Sequence, residues 1–156
     1  MPVKRKKLRP KETVRKPKPL LETNQLKNKL LERLESLTEG LFYISETDAP
    51  ITAFIGDKTE SVTPAEILKQ TKSAADTPIS ETGFTEFFSN LTEIQDWFGE
   101  EETELARKFA ALKEFLEKNI KDLKVFKIGK IELETYVVGL DGENNVAGIK
   151  TKAVET

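Results

Sequence analysis

The strongest structural constraint in this sequence is an apolar stripe of helical spacing that ends at residue 120. Five apolar side chains recur there at intervals of three or four residues: Leu105, Phe109, Leu112, Leu116 and Ile120. This spacing places all five on one face of an α-helix. Charged residues fill the opposite face, and acidic residues crowd the start near residue 100, where the helix dipole favours them. The sequence therefore predicts a long amphipathic helix packed on a hydrophobic core.

An acidic and aromatic corner stands directly before this helix. It reads Gln95-Asp96-Trp97-Phe98 and contains the only tryptophan of the chain. An exposed tryptophan among acidic residues suits recognition of a cationic partner, because aromatic anchors are frequent hot spots and opposite charges speed encounter. The alternative for Trp97 is a core position with a satisfied indole N–H. The corner is the first candidate binding site.

Basic residues at the N-terminus divide the chain into two parts of opposite charge. Residues 1–21 contain nine Lys or Arg and one Glu, a charge of +8, so the remaining residues carry −10 of the total of −2. This segment has too few apolar residues to offset its ordering entropy by burial. We predict a disordered basic tail over residues 1–22 and a folded domain over residues 23–156. The run Lys4-Arg5-Lys6-Lys7 has three interpretations: a solubilising tail, a nuclear address or a nucleic-acid arm.

The composition removes several kinds of catalytic chemistry. The 156 residues include no Cys and no His, so thiolate chemistry, the commonest general base and the usual zinc ligand are all lacking. The sequence has no Gly-rich phosphate loop of the Walker or dinucleotide type. The four acidic residues near the start of the long helix are explained by the helix dipole. We therefore expect a protein that is not an enzyme and that has no cofactor of its own.

The sequence gives no sign of a membrane segment. No apolar run approaches the roughly 18 residues that a spanning helix needs. The basic N-terminus is not followed by the apolar stretch of a secretory signal. We expect a cytoplasmic protein, with a nuclear location as the alternative that the basic tail leaves open.

The first third of the chain predicts a helix and two short strands. Asn24 is a good N-cap for a helix with a leucine stripe, and Gly40 is a good residue to end that helix. The following segments are predicted as a strand buried on both faces (41–44), a loop (45–50), a second strand (51–55) and a turn (56–58).

The middle of the chain predicts two further helices. Thr63-Pro64-Ala65-Glu66 combines an N-cap, a Pro at the first helical position and a Glu at the third, which predicts a helix to about residue 71. Residues 72–83 predict a polar loop. Residues 84–91 predict a short helix whose aromatic side chains belong to the core. Thr92-Glu93-Ile94-Gln95 predicts a second capping box directly before the corner.

The last third of the chain predicts three strands, at residues 125–128, 131–139 and 146–154. Asp141-Gly142-Glu143-Asn144-Asn145 supplies turn residues between the last two, so we expect them to pair as an antiparallel hairpin. The whole order of elements predicts an α+β fold, with helices packed on a mostly antiparallel sheet.

Four separated segments together resemble the nuclease A inhibitor family. They read GLFYISE (40–46), QDWF (95–98), ELETYVVG (132–139) and AGIKTKAVET (147–156). The resemblance covers roughly residues 24–156 and leaves out the basic tail. It implies an α-β-α sandwich similar to the PR-1-like fold of plant pathogenesis-related proteins.

The resemblance also implies a function. Proteins of this kind bind and block a magnesium-dependent, sugar-non-specific DNA/RNA endonuclease of the ββα-metal class. Glu46, Asp96, Trp97 and Thr156 match the partner-binding positions of the family. In the complex, Glu46 and Thr156 would reach the Mg²⁺ of the nuclease, since this ion prefers oxygen ligands. The acidic domain would then imitate DNA in the basic cleft of the nuclease.

A second hypothesis stays open at this point. The chain could be a nucleic-acid-associated adaptor, whose basic tail binds phosphates and whose acidic domain recruits another partner. Removing residues 1–21 distinguishes the two hypotheses, since inhibition should survive and nucleic-acid binding should not. In either case we expect a monomer when free, no membrane association and at most weak contact of residues 1–21 with nucleic acid.

Overall fold

The computed structural model describes the backbone of residues 17–44 and 46–154, and side chains from residue 28 onward. The chain divides into two compact units, Met1–Leu30 and Leu31–Thr156. In the first unit the described residues are helical and belong to helix α1, which covers Pro17–Thr38. All further elements lie in the second unit.

The start of α1 differs from the sequence prediction. The helix begins at Pro17 rather than after Asn24, so the prediction of disorder was wrong for residues 17–22. Prolines disfavour a helix interior, but they are tolerated in its first turn, where the backbone N–H groups have no partner within the helix. Residues 1–16 of the predicted tail lie outside the described residues, and the domain boundary at residue 22 stays a prediction.

Within the described residues, seven strands and three further helices follow α1. The helices are α2 (Pro64–Gln70), α3 (Phe84–Thr92) and α4 (Glu100–Asn119). The strands are β1 (Phe42–Ile44), β2 (Asp48–Pro50), β3 (Thr52–Lys58), β4 (Ile79–Thr82), β5 (Lys121–Gly129), β6 (Glu132–Leu140) and β7 (Asn145–Val154). Five strands form one antiparallel sheet in the order β3-β7-β6-β5-β4, and β1 pairs with β2 as a separate hairpin. The predicted α+β fold with a mostly antiparallel sheet is confirmed.

The predicted C-terminal hairpin is confirmed. Strands β6 and β7 pair antiparallel from Glu132 opposite Val154 to Leu140 opposite Val146. The turn is closed by Asp141, whose Oδ1 accepts hydrogen bonds from the backbone N–H of Glu143 and of Asn145, at 2.8 and 2.9 Å. Side chains that bond to backbone two residues ahead favour this kind of turn.

The sheet carries apolar side chains on both faces. One face packs against α2 through a buried cluster that contains Ile67 and Leu68 of α2 together with Phe126, Tyr136 and Val138. Neighbouring strand residues point to the opposite face, and those of β6 from Thr135 onward are buried too. Helices α3 and α4 contact each other and β5. The central strand is therefore covered on both sides.

The long helix predicted from the apolar stripe is α4. Its Phe109, Leu112 and Leu116 are buried, whereas Leu105 is only partly buried. The side chain of Glu102 accepts a hydrogen bond from the backbone N–H of Gly99 at 3.0 Å, which caps the first turn.

Several predictions for the first half of the chain were wrong in detail. Strand β1 is not buried on both faces, since Phe42 and Ile44 are 46% and 63% exposed. Residues 48–50 of the predicted loop form β2, and the predicted turn at 56–58 belongs to β3, where a register shift lies between Ile55 and Lys58. These segments are short, so their pairing with neighbours decides their conformation more than their own residues do.

Two predictions around α3 were also wrong. Residues 72–83 are not a loop throughout, because β4 occupies Ile79–Thr82 and pairs with β5. Thr92 does not start a helix, since it is the last residue of α3 and its Oγ1 donates a hydrogen bond to the carbonyl of Phe88 at 2.9 Å. The helix start at Thr63 is confirmed, because its Oγ1 accepts from the Glu66 N–H at 3.2 Å.

Across the part of the chain that the structure describes, no helix combines the length and the apolar character that crossing a membrane requires.

Gly148 offers a test of the sheet. A Cβ added to Gly148 would meet the backbone carbonyl of Val137 on the neighbouring strand, whereas a Cβ at Gly142 would meet nothing within 4 Å. Backbone cannot move aside as a flexible side chain can. We expect Gly148→Ala to lower the free energy of unfolding by about 1–3 kcal/mol or more. Urea unfolding of both variants checks this, and Gly142→Ala should stay within about 0.5 kcal/mol of the parent. Equal stabilities would show that the approach of β6 and β7 is looser than described.

Candidate functional site

The corner between α3 and α4 exposes its tryptophan. Trp97 is 73% exposed, which excludes the core alternative for this residue. Its ring meets that of Phe98 edge to face, with 4.7 Å between the ring centroids and 82° between the planes. Phe98 is half-buried, and its N–H donates to the carbonyl of Gln95 at 3.1 Å. The exposed indole therefore packs against the half-buried ring of its neighbour Phe98.

The residues around the tryptophan are mostly acidic and exposed. They are Glu93, Asp96, Glu100, Glu101 and Glu104. These carboxylates precede and follow Trp97 in the chain, so the local charge attracts a cationic partner and repels an anionic one.

The second candidate residue, Glu46, stands at the tip of the β1–β2 hairpin. It is exposed and lies between Ile44, the last residue of β1, and Asp48, the first of β2. Tyr43 attaches the hairpin to α3, because its ring stacks on Phe87 with 5.5 Å between the centroids and 10° between the planes. The hairpin and the corner are therefore both connected to α3, the hairpin by this stack and the corner by the chain itself.

The hairpin is also attached to β7. The hydroxyl of Thr151 donates to the carbonyl of Pro50 at 3.0 Å, although about a hundred residues separate the two in the sequence. The Ile51 N–H donates to the carbonyl of Leu41 at 3.0 Å. These bonds fix the base of the hairpin, so its tip projects from a defined position.

A cleft of about 430 Å³ joins the hairpin tip to the end of β7. Its walls come from the hairpin, the start of β6 and the end of β7, and they are formed by Thr47, Asp48, Ala49, Pro50, Glu132, Leu133, Glu134, Lys152, Ala153 and Val154. We call this the hairpin cleft. Thr47 is the neighbour of Glu46, and Val154 is two residues before Thr156. The structure therefore brings the chain next to Glu46 and the chain that leads to Thr156 to one place.

The position of Thr156 itself lies outside the described residues. Whether Asp96 and Trp97 share a face with Glu46 and Thr156 stays a prediction.

Sequence reasoning missed two exposed apolar side chains beside Glu46. Phe42 and Ile44 alternate with the partly buried Tyr43 along β1, so they share one exposed face of the hairpin. Residues that alternate between the two faces of a strand can be recognised in a long strand. In a run of three apolar residues this alternation cannot be distinguished from a strand that is buried on both faces. These side chains extend the candidate surface from the tip towards the base of the hairpin.

Tyr136 lies beside the cleft with a strongly perturbed hydroxyl group. The residue is buried, and its OH donates to Oε1 of Glu134 at 3.2 Å. Burial first, and then the charge and the hydrogen bond of Glu134, raise the pKa of Tyr136 from 10.0 to about 12. The phenol therefore stays protonated at any physiological pH.

The described residues offer no metal site of their own. Among them, no group of three or more His, Cys, Asp or Glu is placed to hold a metal ion. The expectation that the protein has no cofactor stays a prediction.

The structure thus defines an α+β protein whose candidate site is an outer surface rather than an enclosed pocket. A family model described as nuclease A inhibitor-like protein matches residues 28–156, so the chain belongs to this family. The match confirms the resemblance that the four sequence segments carry. No curated protein matches the chain. Membership of an inhibitor-like family implies a role without catalysis and a nuclease as the partner.

The pKa of Tyr136 makes stability depend on pH in a defined direction. The unfolded chain loses the phenol proton near pH 10.0 and the folded protein only near pH 12. The contribution to the free energy of unfolding is therefore complete below pH 10 and is lost as the pH rises towards 12. Difference titration of tyrosinate absorbance between the parent and Tyr136→Phe should give a midpoint near 12. Glu134→Gln should lower it, because the charge and the charged acceptor are lost, and a parent midpoint near 10 would contradict the described burial.

Proposed function

We propose that the protein binds the active site of a magnesium-dependent, sugar-non-specific endonuclease of the ββα-metal class and blocks it. The hairpin cleft is the observation that carries the proposal. An inhibitor that reaches the metal of its target must bring two oxygen-bearing groups together from distant parts of its sequence. The cleft supports this, since Thr47 and Val154 both line it.

The proposed contact with the metal uses Glu46 and Thr156. Mg²⁺ prefers oxygen ligands in octahedral geometry and keeps several of its waters. The carboxylate of Glu46, with the hydroxyl and carboxylate of Thr156, supplies oxygens of the right kind. They would occupy the place of the scissile phosphate and its bound water, and catalysis would stop because no substrate could approach the ion.

The proposed role of the corner is to anchor the complex. Trp97 offers a large ring that loses its hydration on binding, and Asp96 beside it offers a charge to a basic partner. The exposed carboxylates around the corner would imitate the phosphates of DNA. Association should therefore slow as the salt concentration rises, because salt screens exposed charges.

We also propose that the fold is the α-β-α sandwich of PR-1-like type that the family resemblance implies. The burial of β6 on both faces and the packing of α2 on one of them support this proposal. A monomer in the cytoplasm is the simplest setting for a protein that waits for a partner. The adaptor hypothesis has no observation in its favour among the described residues, and removal of residues 1–21 remains its test.

The first variant tests the anchor. Trp97→Ala should weaken inhibition of a magnesium-dependent non-specific nuclease about thirtyfold, because a desolvated aromatic anchor contributes about 2 kcal/mol or more. The loss should appear mainly as faster dissociation in stopped-flow or surface-binding kinetics. Glu114→Gln is the control, since Glu114 is exposed on α4 and lies only 3.9 Å from Lys118 in a weak ion pair. Equal dissociation rates for Trp97→Ala and the parent would remove the corner from the interface.

The second pair of variants tests contact with the metal. Glu46→Gln keeps the shape and removes the charge, so the inhibition constant should rise at least tenfold and should lose its dependence on Mg²⁺. A Gly-Ser extension beyond Thr156 should be as harmful, because it displaces the carboxylate. Glu143→Gln is the matched control, since Glu143 lies in the turn before β7, at the end of that strand opposite to Val154.

The outcomes of this pair separate two mechanisms. Parent-like inhibition by both the extended chain and Glu46→Gln would refute contact with the metal, and inhibition would then come from steric blocking by the corner.

A further inference from the structure

A second cavity lies next to the hairpin cleft, on the face of the sheet that also carries α2. It has a volume of about 290 Å³ and is lined by Ala49, Pro50, Thr52, Glu134, Tyr136, Lys150, Thr151 and Lys152. Four of these residues, Ala49, Pro50, Glu134 and Lys152, also line the hairpin cleft. We call the second cavity the lysine pocket.

Two lysines of one strand place positive charge at the pocket. Lys150 and Lys152 are both exposed and are two residues apart on β7, so their side chains leave the same face of the strand. Among the described residues, no carboxylate lies within ion-pair distance of either lysine, in contrast to Lys113 and Lys118 on α4. Lys150 is held instead over the ring of Phe54, with its Nζ 5.9 Å from the ring centroid. Two ammonium groups are therefore available for an anion.

The single carboxylate of the pocket is already engaged. Oε1 of Glu134 accepts the hydrogen bond from the Tyr136 hydroxyl at 3.2 Å. Glu134 keeps its negative charge, and with Lys150 and Lys152 the lining residues carry 2 − 1 = +1, which disfavours a cation. The Tyr136 oxygen and the Thr52 hydroxyl add neutral polar groups to the wall.

An apolar wall completes the pocket. Tyr136 and Pro50 are lining residues of the pocket, and the ring of Tyr136 meets that of Phe54 edge to face with 5.1 Å between the centroids. The cavity is larger than a single phosphate ion requires, so it has room for an organic body beside the charged group.

From these observations we infer that the lysine pocket binds a small phosphate monoester, with the phosphate on Lys150 and Lys152 and the organic body against Tyr136 and Pro50. Two point charges on flexible stems suit a dianion with three oxygens better than a carboxylate with two. This inference does not depend on the proposed inhibition, because it uses neither Trp97 nor Glu46.

Nuclear magnetic resonance titration of the full chain tests the inference. The probes are inorganic phosphate, ribose 5-phosphate, adenosine 5′-monophosphate and acetate. Saturable shifts of the Thr52, Lys150 and Lys152 amides are expected with a dissociation constant of about 1 mM or lower for the two monoesters. Inorganic phosphate alone should bind more weakly, and acetate at least tenfold more weakly than either monoester. The two monoesters distinguish a sugar phosphate from a nucleotide as the preferred ligand.

Matched lysine variants localise the site. Lys150→Gln and Lys152→Gln should each weaken binding of the monoesters roughly tenfold. Lys118→Gln should leave it unchanged, because Lys118 is an exposed lysine on α4 near Glu114. Tyr136→Phe should weaken binding less than either lysine variant, since the ring remains.

Three results would overturn the inference. The first is the absence of saturable shifts in the pocket amides. The second is parent-like affinity in the double variant Lys150→Gln/Lys152→Gln, which would place phosphate binding in the basic residues 1–16. The third is acetate binding as tight as that of the monoesters, which would show a general anion site without selectivity for phosphate.

Discussion

The hydrogen-bonded pairing of β6 with β7 determines which side chains form the core and where the candidate surface lies. Strand β6 is the middle strand of the sheet, and its residues are buried from Thr135 onward, on one face in a cluster with α2. Strand β7 carries the hairpin β1–β2 through Thr151 and forms the end of the hairpin cleft at Val154. A shift of register by one residue would turn every side chain of β7 to the other face. The same ladder therefore fixes the core and the position of Val154 beside the hairpin.

The sequence predicted those elements whose local patterns extend over many residues or include a characteristic turn. The stripe of α4 and the turn at Asp141 predicted α4 and the last hairpin, because helical spacing and turn chemistry are local properties. The short strands β1, β2 and β4 were missed or misread. Their conformations depend on distant partners, such as Phe87 for Tyr43, that no local pattern reveals. The start of α1 was missed because the prolines and positive charge before residue 22 also suit disorder.

The candidate site was predictable only in part. The residue types at Glu46, Asp96 and Trp97 could be selected from the family resemblance. The exposure of Trp97 could not, since a tryptophan is as often a core residue with a satisfied indole N–H. In the structure Phe98 is the partly buried aromatic residue of the corner and Trp97 is the exposed one. The contact between the base of the hairpin and β7 was likewise hidden, because the residues that make it lie about a hundred positions apart.

The exposure of Trp97 has an optical consequence. The chain has a single tryptophan, and its indole is already in water when the protein is folded. Unfolding therefore changes the surroundings of this fluorophore little, whereas enclosure by a partner changes them strongly. If a partner covers Trp97, as the proposed interface requires, tryptophan emission would report association and would change little on unfolding, which is the reverse of the usual case for a tryptophan packed in a core.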